Sequence, residues 1–569
     1  MLVKKLLLAS AVAVAAVGGY YYTTGSDTST DALLGSIPAD SPLVVMQTEA
    51  YDHFEYVNTM GKSQQSLYDL FADFDLTAEQ DFMVAYLDGY LQSAVDKKTF
   101  KAYSGTPDKV KPVFYTLGMI PVYKIQLEDT AAFWNTIDQT EQATGATHQA
   151  TKLGNIDYRR YRLSDENGEE INLVIAVHDN VATFTLDFPL LKEANPLKLA
   201  LGVEKPQKAF ADSDILSGLQ RKYGKQYSSY GYLDHQEIIK GFTQPASNLL
   251  ARQVDILQEY NPEPFIEELR EPNCQSEFAT IASHWPRTVA LTHYQAKNDQ
   301  VNLDGQIVLE STNKVILNAI QSIRGFMPKM SAQDSIFEFG FGLDVAKLAP
   351  AINTIWQDIQ QPTYQCDFLA EMQQEMGSEN PAAMLSMGSS MVNGMKGMHF
   401  TLNDVALDLQ KPYSPQFEKL DFLFTLSAEN PIALLQTAQM FIPQLAQLTI
   451  QPNGNPVDLS ALLKSETGVS TPLFARLNDK HLALYAGERS STNSQSVLAS
   501  SLEAQGLFQF AVNAPRVLEL MELVAEMQGE EVPEDISAGL NSNAVSQITF
   551  DVNDHGFVLG YDHNVKMKK

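Results

Sequence analysis

Apolar and polar residues alternate most clearly between residues 121 and 187. PVYKIQLED has the period of two expected of a half-buried strand. Asp129 stands where an N-cap belongs for TAAFWNTIDQTEQATG, in which Ala132, Phe133, Ile137 and Thr140 recur at helical spacing. Gly145 closes that helix as a C-cap residue. Three strands follow, IDYRRYRL, EINLVIAV and VATFTLD. The first two are joined by SDENGE and the last two by the tight turn His178-Asp179-Asn180. Links this short make an antiparallel meander, because parallel crossovers need a dozen or more residues.

The same order returns near the C-terminus. DFLFTLS predicts a strand and AENPIALLQTAQMFIPQLAQL a helix with Pro431 in its first turn. PLFARL and HLALYAG predict a hairpin across Asn478-Asp479-Lys480, and SQSVLASSLEA a short helix where the first copy has LLKEANPLKLALG. YSSYGYLDHQEIIKGF corresponds to GLFQFAVNAPRVLELMELV, and the hairpin TVALTHYQAKNDQVNLDGQIVLE to VSQITFDVNDHGFVLGYDHNV. LVVMQTEAYDHFEYVNTM corresponds to IFEFGFGLDVAKLAPAINTI, each a strand, a polar break and an amphipathic helix. The expected fold is therefore α+β, with antiparallel sheets carrying helices on one face. It comprises two pseudo-equivalent halves, 31–311 and 335–569, around a connector at 312–334. The match is one of element order rather than residue identity, so chance recurrence of strand–helix–hairpin units is the competing reading. The stretches 62–112, 245–275 and 360–400 read as helix-rich insertions.

Length and charge narrow the function classes. The chain has 569 residues, 44% hydrophobic and only 19% charged, which suits a folded protein with real cores. The net charge is −29. That opposes nucleic-acid binding, which needs basic patches, and docking of a folded face on anionic lipid.

Residues 1–30 read as a signal peptide or signal anchor. Lys4 and Lys5 precede an uncharged run from Leu6 to Tyr22, and a Ser/Thr/Asp stretch ends it. Ala11-Val12-Ala13 and Ala13-Val14-Ala15 offer cleavage sites. Left intact, residues 6–22 would span about 25 Å as a helix, with Tyr20, Tyr21 and Tyr22 at the interface. The expected location is the periplasm, anchored in the inner membrane by residues 6–22 or released there by cleavage. The N-terminal segment is the only membrane contact expected. Cys274 and Cys366 fit an oxidising compartment and predict a disulfide. Neither lies in a C-x-x-C, and no Cys/His cluster has zinc spacing.

The box Ile37-Pro38-Ala39-Asp40-Ser41-Pro42, directly after the export segment, resembles the opening of an uncharacterised family of proteobacterial envelope proteins. Cys274 followed by Trp285-Pro286-Arg287 is similar to a feature of those chains. The resemblance implies location and fold. It supplies no activity and no catalytic residue.

The most unusual local chemistry is a run of methionines. Met372, Met376, Met384, Met387, Met391, Met395 and Met398, with His399 adjacent, read as one helix over 372–398 with a methionine stripe. A buried helix face is the plainest reading, with Gly388, Gly394 and Gly397 allowing close approach to a sheet. A pliable groove for lipid or a hydrophobic peptide is the second. A Cu(I) site using Met384, Met387, Met391, Met395, Met398 and His399 is the third. Other motifs are weaker. Asp551-Val552-Asn553-Asp554-His555-Gly556 imitates a calcium loop but is flanked by strands, so a hairpin turn is expected. Gly340-Phe341-Gly342 follows a strand without the parallel unit of a dinucleotide site, and packing against a helix explains its glycines. Ser311-Thr312-Asn313-Lys314 lacks the boxes that would accompany a catalytic S-x-x-K. His178, His235 and His555 are expected at strand ends and turns. Two acidic runs, Asp255 to Glu271 and Glu519 to Asp535, read as solvated faces or loose cation surfaces.

These readings converge on an extracytoplasmic, non-enzymatic binding or scaffolding module for a hydrophobic ligand or protein partner. No cofactor and no nucleic acid is implied. Copper handling and a hydrolase without local signatures are the alternatives.

Overall fold

The computed structural model describes residues 33–566, apart from 62–65, 72–73, 167–168, 195, 298–299, 330–332, 378, 409–415, 442–448, 468–470, 534–535, 538–539 and 541–542. The export segment, residues 6–22, lies outside the described residues. Among those described, no helix is long and apolar enough to cross a membrane. The protein is a mixed α and β structure built on antiparallel strands. It divides into two compact bodies. The first runs to Glu310 and includes Tyr364–Ala370, and the second takes Ser311–Thr363 and the chain from Glu371 onward.

The first body's sheet uses ten strands: β1 (Leu43–Gln47), β2 (Val113–Leu117), β3 (Ile120–Gln126), β4 (Gln149–Leu153), β5 (Ile156–Glu166), β6 (Glu169–His178), β7 (Val181–Asp187), β8 (Ser229–Asp234), β9 (Arg287–Lys297) and β10 (Gln300–Glu310). Their order is β10-β9-β8-β1-β2-β3-β7-β6-β5-β4, antiparallel throughout. Local chemistry sets several joints. Asp179 and Asn180 both adopt left-handed φ, 49° and 58°, as a two-residue hairpin turn between β6 and β7 requires. Helices α1 (Ala78–Gln92) and α2 (Lys97–Ser104) fall in the stretch read as helix-rich, and α3 (Thr130–Thr144) follows its cap signals. Thr77 and Gln80 form a capping box on α1, while Asp129 caps α3 and Gly145 ends it at φ 73°. Phe82 stacks on Tyr161 at 4.6 Å and Phe133 meets Phe184 edge-on at 6.0 Å, which seats α1 and α3 on one sheet face. The edge strand β4 has no counterpart in the sequence reading, because QATKL is polar and mostly exposed, with no apolar period to betray it.

The rest of the first body supplies α4 (Ile215–Tyr223), α5 (His235–Thr243) and α6 (Pro272–His284). Cys274 on α6 is bonded to Cys366. Leu369, Phe278, Ile281, Tyr364 and Phe368 pack around that bridge.

The second body's sheet uses β11 (Phe337–Phe341), β12 (Met395–Asp408), β13 (Gln416–Ala428), β14 (Val457–Asp458), β15 (Phe474–Leu477), β16 (His481–Ala486), β17 (Phe508–Asn513), β18 (Ala544–Asn553) and β19 (Gly556–Lys566). The order is β19-β18-β17-β11-β12-β13-β16-β15-β14, again antiparallel. Its helices are α7 (Lys314–Ser322), α8 (Val345–Gln360), α9 (Asp367–Glu375, shared with the first body up to Ala370), α10 (Pro381–Ser389), α11 (Pro431–Phe441), α12 (Glu488–Leu498) and α13 (Ala514–Gln528). Residues 312–334 are more than a linker. Within them α7 packs on α8 through Ala319, Ile323 and Ala351. Helix α12 starts six residues before the stretch read as helical, because it is anchored by a carboxylate rather than by an apolar stripe. Asp421 accepts from Ser490 N at 3.1 Å and Oγ at 2.5 Å, and from Arg489 N at 3.1 Å.

Gly340 sits between His399 and Gln509, whose side chains a Cβ would meet at 3.1–3.2 Å. Gly340 is thus explained by neighbouring strands and Gly342 by the backbone of Gly325 and Gly506, with which a Cβ would clash, so the expected packing against a helix is corrected.

Candidate functional site

The methionine segment is not one helix. Gly377, at φ 85°, follows the end of α9. Asn380 and Pro381 then start α10, with Asn380 Oδ1 accepting from Ala382 N at 2.9 Å. A 3₁₀ turn covers Ser390–Val392, and Gly394, at φ 83°, leads into β12. Met384 and Met387 therefore lie on α10, Met391 on the 3₁₀ turn, and Met395, Met398 and His399 on β12. The buried-face reading fails as well. Met384, Met387 and Met391 are 70%, 77% and 50% exposed, and Ala382 is the only buried residue of α10. The helix packs on α8, and its thioethers face outward. Gly388 has open space about it, and Gly394 has only the Glu429 side chain near, so neither serves a close helix–sheet approach. Gly397 alone does the expected kind of work, and against the Phe326 backbone rather than a helix.

Strand alternation then separates Met398 from His399. Met398 shares its face with Phe400, opposite Phe341 and Leu426. His399 points the other way and is 4% exposed. Its Nε2 lies 3.6 Å from Glu338 Oε2, and neither ring nitrogen has a hydrogen-bond partner among the described residues. The six residues considered for Cu(I) thus occupy three elements and both faces of a strand. Among the described residues no group of three or more His, Cys, Asp or Glu side chains is placed to hold a metal.

The Met398 face is aromatic. Phe339, Phe400 and Phe422 follow one another at 5.7 and 6.0 Å, and Phe341 meets Phe508 at 5.1 Å. Phe341, Ile548, Phe550 and Leu559 are exposed. The alternating phenylalanines were visible in sequence as strands. Which face meets solvent was not.

A second feature lies in the first body and was missed. A cleft of about 480 Å³ is lined by Lys208, Lys222, Arg287, Asp214 and Glu310, with Ile215 and Leu219 as its apolar wall. Glu310, among its lining residues, is buried. It receives Lys222 Nζ at 2.8 Å and Tyr223 Oη at 2.6 Å, and its other oxygen lies at ion-pair distance, 3.1 Å, from Arg287 Nε. Two sequence boxes meet here. Ala39 N donates to Lys208 O at 2.9 Å, so the Ile37–Pro42 box holds one wall, and Arg287 ends the Trp285-Pro286-Arg287 box. Nothing in the spacing of residues 39, 208, 287 and 310 announces that they converge.

Several other residues singled out in the sequence have partners within the protein. His235 bonds Trp285 O at 2.8 Å through Nδ1, at the start of α5. Asp551 of the calcium-like hairpin is taken by Arg324 in a two-point pair at 2.8 and 2.7 Å. Asp255 of the first acidic run pairs with Arg270 at 2.6 Å. Asn313 caps α7. Compared with known proteins, the chain matches no family model, no curated protein and no solved structure.

Proposed function

We propose that this protein is a non-enzymatic binding module of the cell envelope, and that the methionine surface of α10 and the turn after it receives an amphipathic, basic segment of a partner protein. The exposure of Met384, Met387 and Met391 carries the reading. Apolar side chains held in water are a standing driving force for association, and the flexible thioether adapts to varied partners. Charge supports the choice of partner. From Glu371 to Met395 the second body's chain has no Lys or Arg but carries Glu371, Glu375 and Glu379. A segment of that charge favours a basic helix and disfavours an anionic bilayer.

The test is fluorescence anisotropy with a labelled amphipathic peptide of leucine and lysine. Changing Met384, Met387 and Met391 together to Gln is expected to weaken binding at least about tenfold with the melting temperature unchanged, since these side chains are exposed. Affinity within twofold of wild type, or equal binding of a leucine–glutamate peptide, would contradict the proposal.

Two further readings belong with it. The bodies share one strand order, the first having β4 in addition, which supports two copies of a common architecture. The Cys274–Cys366 bond supports an oxidising compartment, as do Lys4, Lys5 and the uncharged run 6–22. The resemblance of the Ile37–Pro42 box points the same way. Labelling of spheroplasts with a membrane-impermeant amine reagent checks this. Modification is expected, and protection until lysis would refute it.

A further inference from the structure

We propose that the Lys208–Arg287 cleft of the first body binds a small molecule bearing a phosphate or carboxylate group on a short apolar stem. The cleft's volume of about 480 Å³ falls within the roughly 300–1,000 Å³ of small-molecule sites. Its lining sets three cations against two carboxylates, a local positive excess in a chain of net charge −29. Glu310 is more than a counter-ion. It is buried, and one oxygen forms an ion pair with Arg287 on the Nε side while Tyr223 and Lys222 occupy the other. The two terminal Nη nitrogens of Arg287 have no acceptor among the described residues. A guanidinium ion-paired on one side presents its Nη edge for two-point binding of an oxyanion. Lys208, exposed on the wall held by Ala39, has no ion-pair partner among the described residues and supplies the second charge. Ile215 and Leu219 give the stem an apolar wall.

Calorimetric titration of the full chain with hexyl phosphate, hexanoate, inorganic phosphate and hexylamine tests the assignment. At least one hexyl anion is expected to bind. Hexyl phosphate alone would identify a phosphate ester, and hexanoate alone a carboxylate. Inorganic phosphate is expected to bind more weakly than hexyl phosphate, because it lacks the stem. Lys208→Gln is expected to weaken the anion about threefold or more, with an unchanged melting temperature. Arg287→Lys keeps a cation beside Glu310 but loses the fork, and is expected to cost about tenfold or more. The proposal is overturned if neither hexyl anion binds, if hexylamine binds as tightly as they do, or if both variants keep wild-type affinity.

Discussion

His53 shows how much a single side chain can be asked to do without any signal in the sequence. It is buried between Thr106, whose Oγ1 lies 2.9 Å from Nδ1, and Tyr90, whose hydroxyl bonds Nε2. Ser104 extends the chain to Thr106 at 2.8 Å. Burial lowers the imidazole to about 3, from 6.5. The unfolded chain therefore takes up a proton before the folded one as pH falls. Stability from this group is intact above pH 6.5 and is lost from there down to about pH 3, by at most about 1.4 kcal/mol per pH unit. Melting temperatures of wild type and His53→Gln between pH 7 and 4 check it. The wild type is expected to fall more steeply, and parallel curves would refute the assignment. In sequence His53 sits in a polar break between strand and helix, and burial is a property of distant residues. His399 illustrates the same limit, since adjacency to Met398 in the chain means opposite faces in a strand.

Elements were legible where their signals are local. Asp129, Gly145 and the His178-Asp179-Asn180 turn act within four residues of themselves, and their elements stand as read. Elements stabilised from afar were not legible. The start of α12 depends on Asp421, 67 positions before Glu488. Asp421→Ala is expected to destabilise the second body by about 1–2 kcal/mol, with Asp421→Asn milder, because the amide still accepts but carries no charge for the helix dipole. Hydrogen exchange across Glu488–Leu498 reads this directly, and unchanged protection in the alanine variant would refute the cap. The methionine run misled for a related reason. Helical spacing from Met384 onward was real, but Gly394 and the alternation of KGMHFTL outweigh it, and exposure is set by packing partners that the spacing does not encode.

At the scale of the whole molecule, the succession of strands was largely visible in the sequence, while convergence on the cleft was not. The disulfide, expected from two cysteines alone, closes 92 positions and fastens Tyr364–Ala370 into the first body. In the chain-entropy picture its loss costs about 4–5 kcal/mol. Reduction is expected to raise hydrogen exchange across Pro272–His284 and Tyr364–Ala370 while β12 and β13 keep their protection. Equal loosening of both bodies would contradict that division. The central claim, that the exposed methionines are a docking surface, is tested most directly by methyl NMR of the full chain labelled at its methionine ε-methyls. On addition of the leucine–lysine peptide, Met384, Met387 and Met391 are expected to shift, while the buried Met46 and Met327 stay in place. Unmoved resonances at 384, 387 and 391 in the presence of bound peptide would contradict the account.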